Sequence, residues 1–133
     1  MTTLPHTLAG MVIHGFQKAG PLGYPTANLA IDSMPDLSHG VYLGRSTLTD
    51  DEKNLPSIIF YGIPYTLDEY TPPKFEVHIL GQKGLNLYDA HLKVLCEKYL
   101  RPNKKFASHA ELQEAIMQDL MQAKKYFNIP IHE

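Results

Sequence analysis

Gly23-Tyr24-Pro25-Thr26-Ala27-Asn28-Leu29 closes a glycine-rich stretch that also holds Gly15 and Gly20. Proline fixes one backbone dihedral, so the residues after it are presented in a set direction. Thr26 then offers a hydroxyl and Asn28 an amide oxygen. Hard oxygens of this kind suit a magnesium ion that takes its remaining ligands from phosphate. Backbone N–H groups of a glycine-rich loop can cradle the same phosphates. The chain has no Gly-Lys-Ser/Thr of a Walker A loop, so a nucleotide handled here is held by another route. The competing reading is a plain turn, in which Thr26 and Asn28 bond to their own backbone.

Two further places carry chemistry-bearing side chains. Phe75, Val77 and Ile79 alternate with Glu76 and His78, the period of a strand with one apolar face. If the other face lines a cavity, Glu76 is a general base for a substrate hydroxyl. On an open sheet it is a solvent-facing carboxylate. His78 shares that face, where it contacts a phosphate or an adenine edge, or is a partly buried histidine. The second place is Tyr99-Leu100-Arg101-Pro102, followed by Phe106. Arginine occurs twice in the chain, at Arg45 and Arg101. A guanidinium between a strand end and a proline can fork an anion or stack on a planar ring; the plain alternative is a surface charge. The seven histidines show no metal-ligand spacing, and with one cysteine they do not indicate zinc.

These residues need elements to hold them. Ten prolines and nine glycines cut most of the chain into short pieces, as in a β-rich fold with many turns. The expected strands are Leu8–His14, Gly40–Leu48, Ser57–Tyr61, Lys74–Leu80 and His91–Leu100, with a short sixth at Leu29–Ile31. Their number and length point to a small sandwich or barrel. From Ala107 to Ile129 there is no Pro or Gly. Ser108-His109-Ala110-Glu111 reads as a capping box. Leu112, Ala115, Ile116, Leu120, Ala123 and Phe127 form the apolar stripe of a helix, with Met117 and Met121 flanking it and expected in the core. Lys124 and Lys125 suit the last turn, and Asn128 and Pro130 end it.

Composition bounds the function. The 133 residues make one domain. A net charge of −2 argues against a nucleic-acid binder that works by charge. No segment approaches the roughly 18 apolar residues of a membrane span. The start, Met1-Thr2-Thr3-Leu4-Pro5-His6, lacks the basic and apolar regions of a signal peptide. Cys96 has no internal partner for a disulfide, which fits a reducing compartment. The expectation is a cytoplasmic protein, a monomer by default, with neither nucleic-acid nor membrane partner.

The pieces also occur in a telling order. The glycine loop leads into Leu22-Gly23-Tyr24-Pro25-Thr26-Ala27-Asn28-Leu29. Gly40-Val41-Tyr42-Leu43-Gly44 follows, then Gly62-Ile63-Pro64, Phe75-Glu76-Val77-His78-Ile79-Leu80 and Leu87-Tyr88. Leu100-Arg101-Pro102, Phe106 and a helix with Asp119 end the series. From about Leu4 to Phe127 this resembles the riboflavin kinase (flavokinase) family. The resemblance implies a mainly β fold: a six-stranded antiparallel Greek-key barrel, about residues 6–102, with a helix at about 108–127 packed on it. It implies transfer of the γ-phosphate of ATP to the ribityl 5′-hydroxyl of riboflavin, giving FMN and ADP. It makes Thr26 and Asn28 ligands of Mg2+, with Zn2+ or Mn2+ as alternatives, and Glu76 the base. Gly15, Lys18, Gly20, Gly23, Pro25, Thr26 and His78 fall to the nucleotide. Asn28, Glu76, Leu100, Arg101 and Pro102 fall to the flavin, the last three as a loop that closes over it.

Two positions depart from the family pattern. The first loop, Phe16-Gln17-Lys18-Ala19-Gly20-Pro21, has no arginine, so Lys18 brings a point charge in place of a fork. Ile63 stands where a polar residue often precedes the proline. The alternative function is a flavin- or nucleotide-binding barrel without turnover. An oligonucleotide-binding barrel is disfavoured by the absence of basic excess.

Overall fold

Residues that alternate inward and outward build strands, and those strands close on themselves. In the computed structural model, which describes residues 3–13, 27–31, 35–48, 53–63, 73–81 and 90–129, six strands form among the described residues. They are β1 (His6–Ile13), β2 (Ala27–Ala30), β3 (Gly40–Leu48), β4 (Leu55–Gly62), β5 (Lys74–Ile79) and β6 (His91–Pro102). The barrel is closed in the order β1-β2-β5-β4-β3-β6, and the neighbouring strands run antiparallel. Strands β3, β4 and β5 follow one another as neighbours, and β2 lies beside β5, which is the Greek-key arrangement. Closure leaves no bare sheet edge.

The barrel has two apolar faces. Val12, Tyr42, Ile59, Val77, Leu92 and Val94 belong to the cluster that fills the interior. Val41, Leu43, Ile58, Phe60 and Leu80 form a second cluster outside, closed by Ala123 of the helix. Strand β4 serves both: Ile59 and Tyr61 point in, Ile58 and Phe60 point out. Burial on both faces explains its unbroken apolar run.

The helix α1 (His109–Phe127) supplies the outer cover. Ser108 Oγ accepts from Glu111 N at 3.2 Å. The Glu111 carboxylate reaches back to Ala107 N, at 2.9 Å, one residue before the cap itself. At the other end Asn128 adopts the left-handed conformation, φ 59°, and Ile129 N returns to Lys124 O at 2.8 Å. The last turn is anchored to β6 by Tyr126, whose hydroxyl donates to Glu97 Oε1 at 2.8 Å. Arg45 pairs with the same carboxylate and lies over the Phe127 ring. No helix among the described residues is long and apolar enough to cross a membrane.

Expected elements and observed elements differ mainly at their ends. β1 starts two residues earlier than expected and β6 runs two further. β2 is shifted toward Ala27. β4 begins at Leu55 and so takes in Pro56, which lies one residue inside the strand and whose carbonyl accepts from Leu80 N at 2.9 Å. Met117 and Met121 correct an expectation: they are 60% and 50% exposed. The buried line of the helix runs through Asp119 and Ala123, and the two methionines lie off it.

Candidate active site

The site residues fall on one line across the barrel wall. Directly opposed residues of antiparallel strands point to the same face. Ile13 opposes Asn28, Asn28 opposes Glu76, Glu76 opposes Phe60, Phe60 opposes Val41, and Val41 opposes Arg101. Phe60 and Val41 belong to the outer cluster, so the whole row lies on the outer face. The barrel interior holds packing, and the candidate chemistry sits on the wall beside the helix.

Asn28 and Glu76 form the first part of the site. Their Cβ atoms, as an opposed pair, lie about 4.5–5.5 Å apart. Both are buried, Glu76 at 4% exposure. Burial follows from position: β2 and β5 are neighbours in a closed wall, and Phe60 flanks Glu76 on the other side. His78 opposes Ile58 and shares Glu76's face two residues along, half-buried. The structure thus brings together Asn28, Glu76 and His78. Gly15, Lys18, Gly20, Gly23, Pro25 and Thr26 lie outside the described residues.

Leu100, Arg101 and Pro102 form the second part, at the end of β6. Three strand spacings, roughly 14 Å, separate Arg101 from Glu76 along the row. Between them Phe60 and Val41 lie under the helix, so the two parts flank α1. Leu100 is half-buried against the outer cluster, and Pro102 is exposed. Arg101 is engaged within the protein. Its Nε donates to Asp119 Oδ1 at 2.8 Å and Oδ2 at 3.1 Å, and Nη2 donates to Oδ2 at 2.8 Å. Phe106 lies beneath the guanidinium, 5.6 Å to the ring centroid.

Two residues of this neighbourhood escaped the reading of the sequence. Asp119 is 2% exposed. An acid three residues from Ile116 and four from Ala123, inside an apolar stripe, signals a buried partner, and the chain offers two arginines. Asn103 is the other. Its Nδ2 donates to Ile63 O at 3.1 Å, and its backbone N to His39 O at 3.4 Å. At Ile63, where the family pattern has a polar side chain, a backbone carbonyl makes the polar contact. Gly62 leaves room for this: a Cβ there would stand 3.0 Å from Asn103 Nδ2.

The donor set fits a hard divalent cation. An amide oxygen and a carboxylate face each other on adjacent strands, and magnesium takes few protein ligands when phosphates supply the rest. Among the described residues no three His, Cys, Asp or Glu side chains gather into a metal-holding group, and a phosphate-assisted magnesium site needs no such group.

Comparison with known proteins agrees with this geometry. The family model for riboflavin kinase, named Flavokinase, matches residues 2–127. The riboflavin kinase of Homo sapiens is 33% identical over 99% of this chain and 87% of its own length. The bifunctional riboflavin kinase/FMN adenylyltransferase of Mycoplasma pneumoniae is 37% identical over 92% of this chain. The match spans 43% of that longer relative. Among solved structures, riboflavin kinase from Trypanosoma brucei superposes with a TM-score of 0.67 over 93% of this chain and 78% of its own, at 21% identity, and so shares the fold.

Proposed function

Because the chain belongs to the riboflavin kinase family, we propose that it transfers the γ-phosphate of ATP to the ribityl 5′-hydroxyl of riboflavin, giving FMN and ADP. The observation that carries the reading is the opposed pair of Asn28 and Glu76, buried together on the outer wall. Phosphoryl transfer asks mainly for positioning and for neutralised charge. A carboxylate next to an amide oxygen meets both needs at one place.

In this reading Glu76 takes the proton from the 5′-hydroxyl as its oxygen attacks phosphorus. A bond forms between the 5′-oxygen and the γ-phosphorus. The bond from that phosphorus to the β–γ bridging oxygen breaks, and its electron pair leaves with ADP. Glu76 is held by strands on both sides, so little reorganisation is needed when the proton arrives. Asn28, together with Thr26, would hold Mg2+, or Zn2+ or Mn2+ in its place. When bound, the metal supplies positive charge to the phosphates. His78 stands on the same face to contact the nucleotide. The glycines, Lys18 and Pro25 of the preceding loop are assigned to ATP, and Leu100-Arg101-Pro102 to the flavin. One domain over residues 1–133, acting as a cytoplasmic monomer on two small substrates, completes the reading.

The test is chromatographic detection of FMN after incubation with riboflavin, ATP and MgCl2. FMN that forms with the protein and not with Glu76→Gln supports the kinase and its base together. Riboflavin bound but never converted, with every metal and donor tried, would instead identify a binding barrel without turnover.

A further inference from the structure

Arg101 is expected to meet a ligand, yet its guanidinium is already held on two sides. Three donor contacts from Nε and Nη2 reach one carboxylate, that of Asp119, at 2.8–3.1 Å. Its Nη1 turns instead to Pro102 O, at 3.4 Å. The Asp119 side chain is 3% exposed and that of Arg101 22%. Phe106 stacks on the guanidinium from the segment that follows the strand. The planar fork therefore ties together three pieces of chain: the end of β6, the loop through Phe106, and the middle of α1. Asn103 pins the same segment to the ends of β3 and β4 through His39 and Ile63. Gly40 brings β3 close beneath it: a Cβ there would stand 2.3 Å from Arg101 O.

We propose that Asp119 is a positioning residue of the flavin site: through Arg101 it fixes the segment 101–106, and so makes the helix α1 a working part of substrate binding. The inference rests on the reading that this protein is a riboflavin kinase whose Leu100-Arg101-Pro102 segment faces the flavin. A carboxylate that accepts a fork sets the plane and direction of the guanidinium as well as its position. A neutral amide in its place can accept at one oxygen only and turns donor hydrogens toward the other nitrogen of the fork. The segment then loses its tether to the helix while Asn103 still holds its far end.

The experiment is steady-state kinetics on the full chain, with riboflavin and ATP varied separately, for the wild type and Asp119→Asn, alongside each protein's melting temperature. The expected result is a riboflavin KM raised on the order of ten- to a hundredfold, since a small misplacement far from the chemistry has effects of that size. The KM for ATP and kcat stay within about twofold, because the lost interaction is made equally in ground and transition states. Arg101→Lys keeps the charge and loses the fork, and should raise the riboflavin KM in the same direction. It decides the matter if Asp119→Asn does not fold. A lowered melting temperature with unchanged KM for riboflavin overturns the proposal. So does a parallel loss in both KM values and kcat, which marks general loosening. A wild type that makes no FMN overturns the kinase reading, and this inference with it. A wild type that makes FMN beside a variant with unchanged riboflavin KM overturns the inference alone.

Discussion

Glu76 and Asn28 occupy the same level of the wall, and their substitution should separate chemistry from metal and nucleotide binding. Glu76→Gln keeps the shape and removes the base. Turnover should fall about a hundred- to ten-thousandfold, while riboflavin fluorescence quenching reports binding close to that of the wild type. Near-normal turnover would remove Glu76 from the role. Asn28→Ala removes a hard oxygen from the proposed metal set. Its Mg-nucleotide affinity, read by calorimetry, should weaken by about tenfold, the lower end for disturbed metal sites, and unchanged affinity would place the metal elsewhere. At this scale the sequence was partly legible. Period-two alternation put Glu76 and His78 on one face, and the pairing of Asn28 with Glu76 agrees with the roles suggested for each. The pairing itself joins strands 48 residues apart and has no local signal. Asp119 was visible as a residue but not as a buried one, because its partner lies in another element.

Helix α1 shows what local chemistry can decide. Its stripe, its Ser108 cap and its Asn128 stop were readable because each depends on residues within four positions. Ser108→Ala removes the acceptor of Glu111 N and should cost about 1 kcal/mol. That shifts the melting temperature by roughly 2–8 °C, measured from the helical circular dichroism signal. FMN formation well below the transition should be unchanged, since Asp119 sits in the middle of the helix and away from the cap. A melting temperature equal to that of the wild type would show the cap to be replaced by other contacts. Strand ends were less legible. Proline stopped the expected β4 short of its true start, because the cost of a missing N–H depends on which neighbour needs that hydrogen. The two methionines misled for a related reason: apolar character does not say which side of a helix meets the barrel.

For the molecule as a whole, the order of the strands was suggested by family resemblance rather than by periodicity, which left sandwich and barrel equal. Period gives faces, while topology depends on contacts between distant segments. The filled interior has its own consequence for pH. Burial pushes the Cys96 thiol up to about 12, and burial with neighbouring Tyr99 pushes the Tyr42 phenol up to about 12. Both groups are neutral when protonated, with ordinary values of 9.0 and 10.0. Their contribution to stability is therefore complete below pH 9 and is lost as pH rises toward 12, by on the order of 1 kcal/mol per pH unit for each group. Urea midpoints should fall between pH 9 and 11, and Cys96→Ala should show a shallower fall from its own neutral-pH value. Equal slopes would exclude Cys96 as a source. The closed ring also has a history in time. Strand β6 pairs with both β1 and β3, so during synthesis each of those strands waits with one side bare until the chain has grown past residue 102. The helix that covers Val41 and Phe60 is made later still. A nascent chain halted before that point holds four or five strands that cannot seal, and its interval on the ribosome is when it most needs protection from its neighbours.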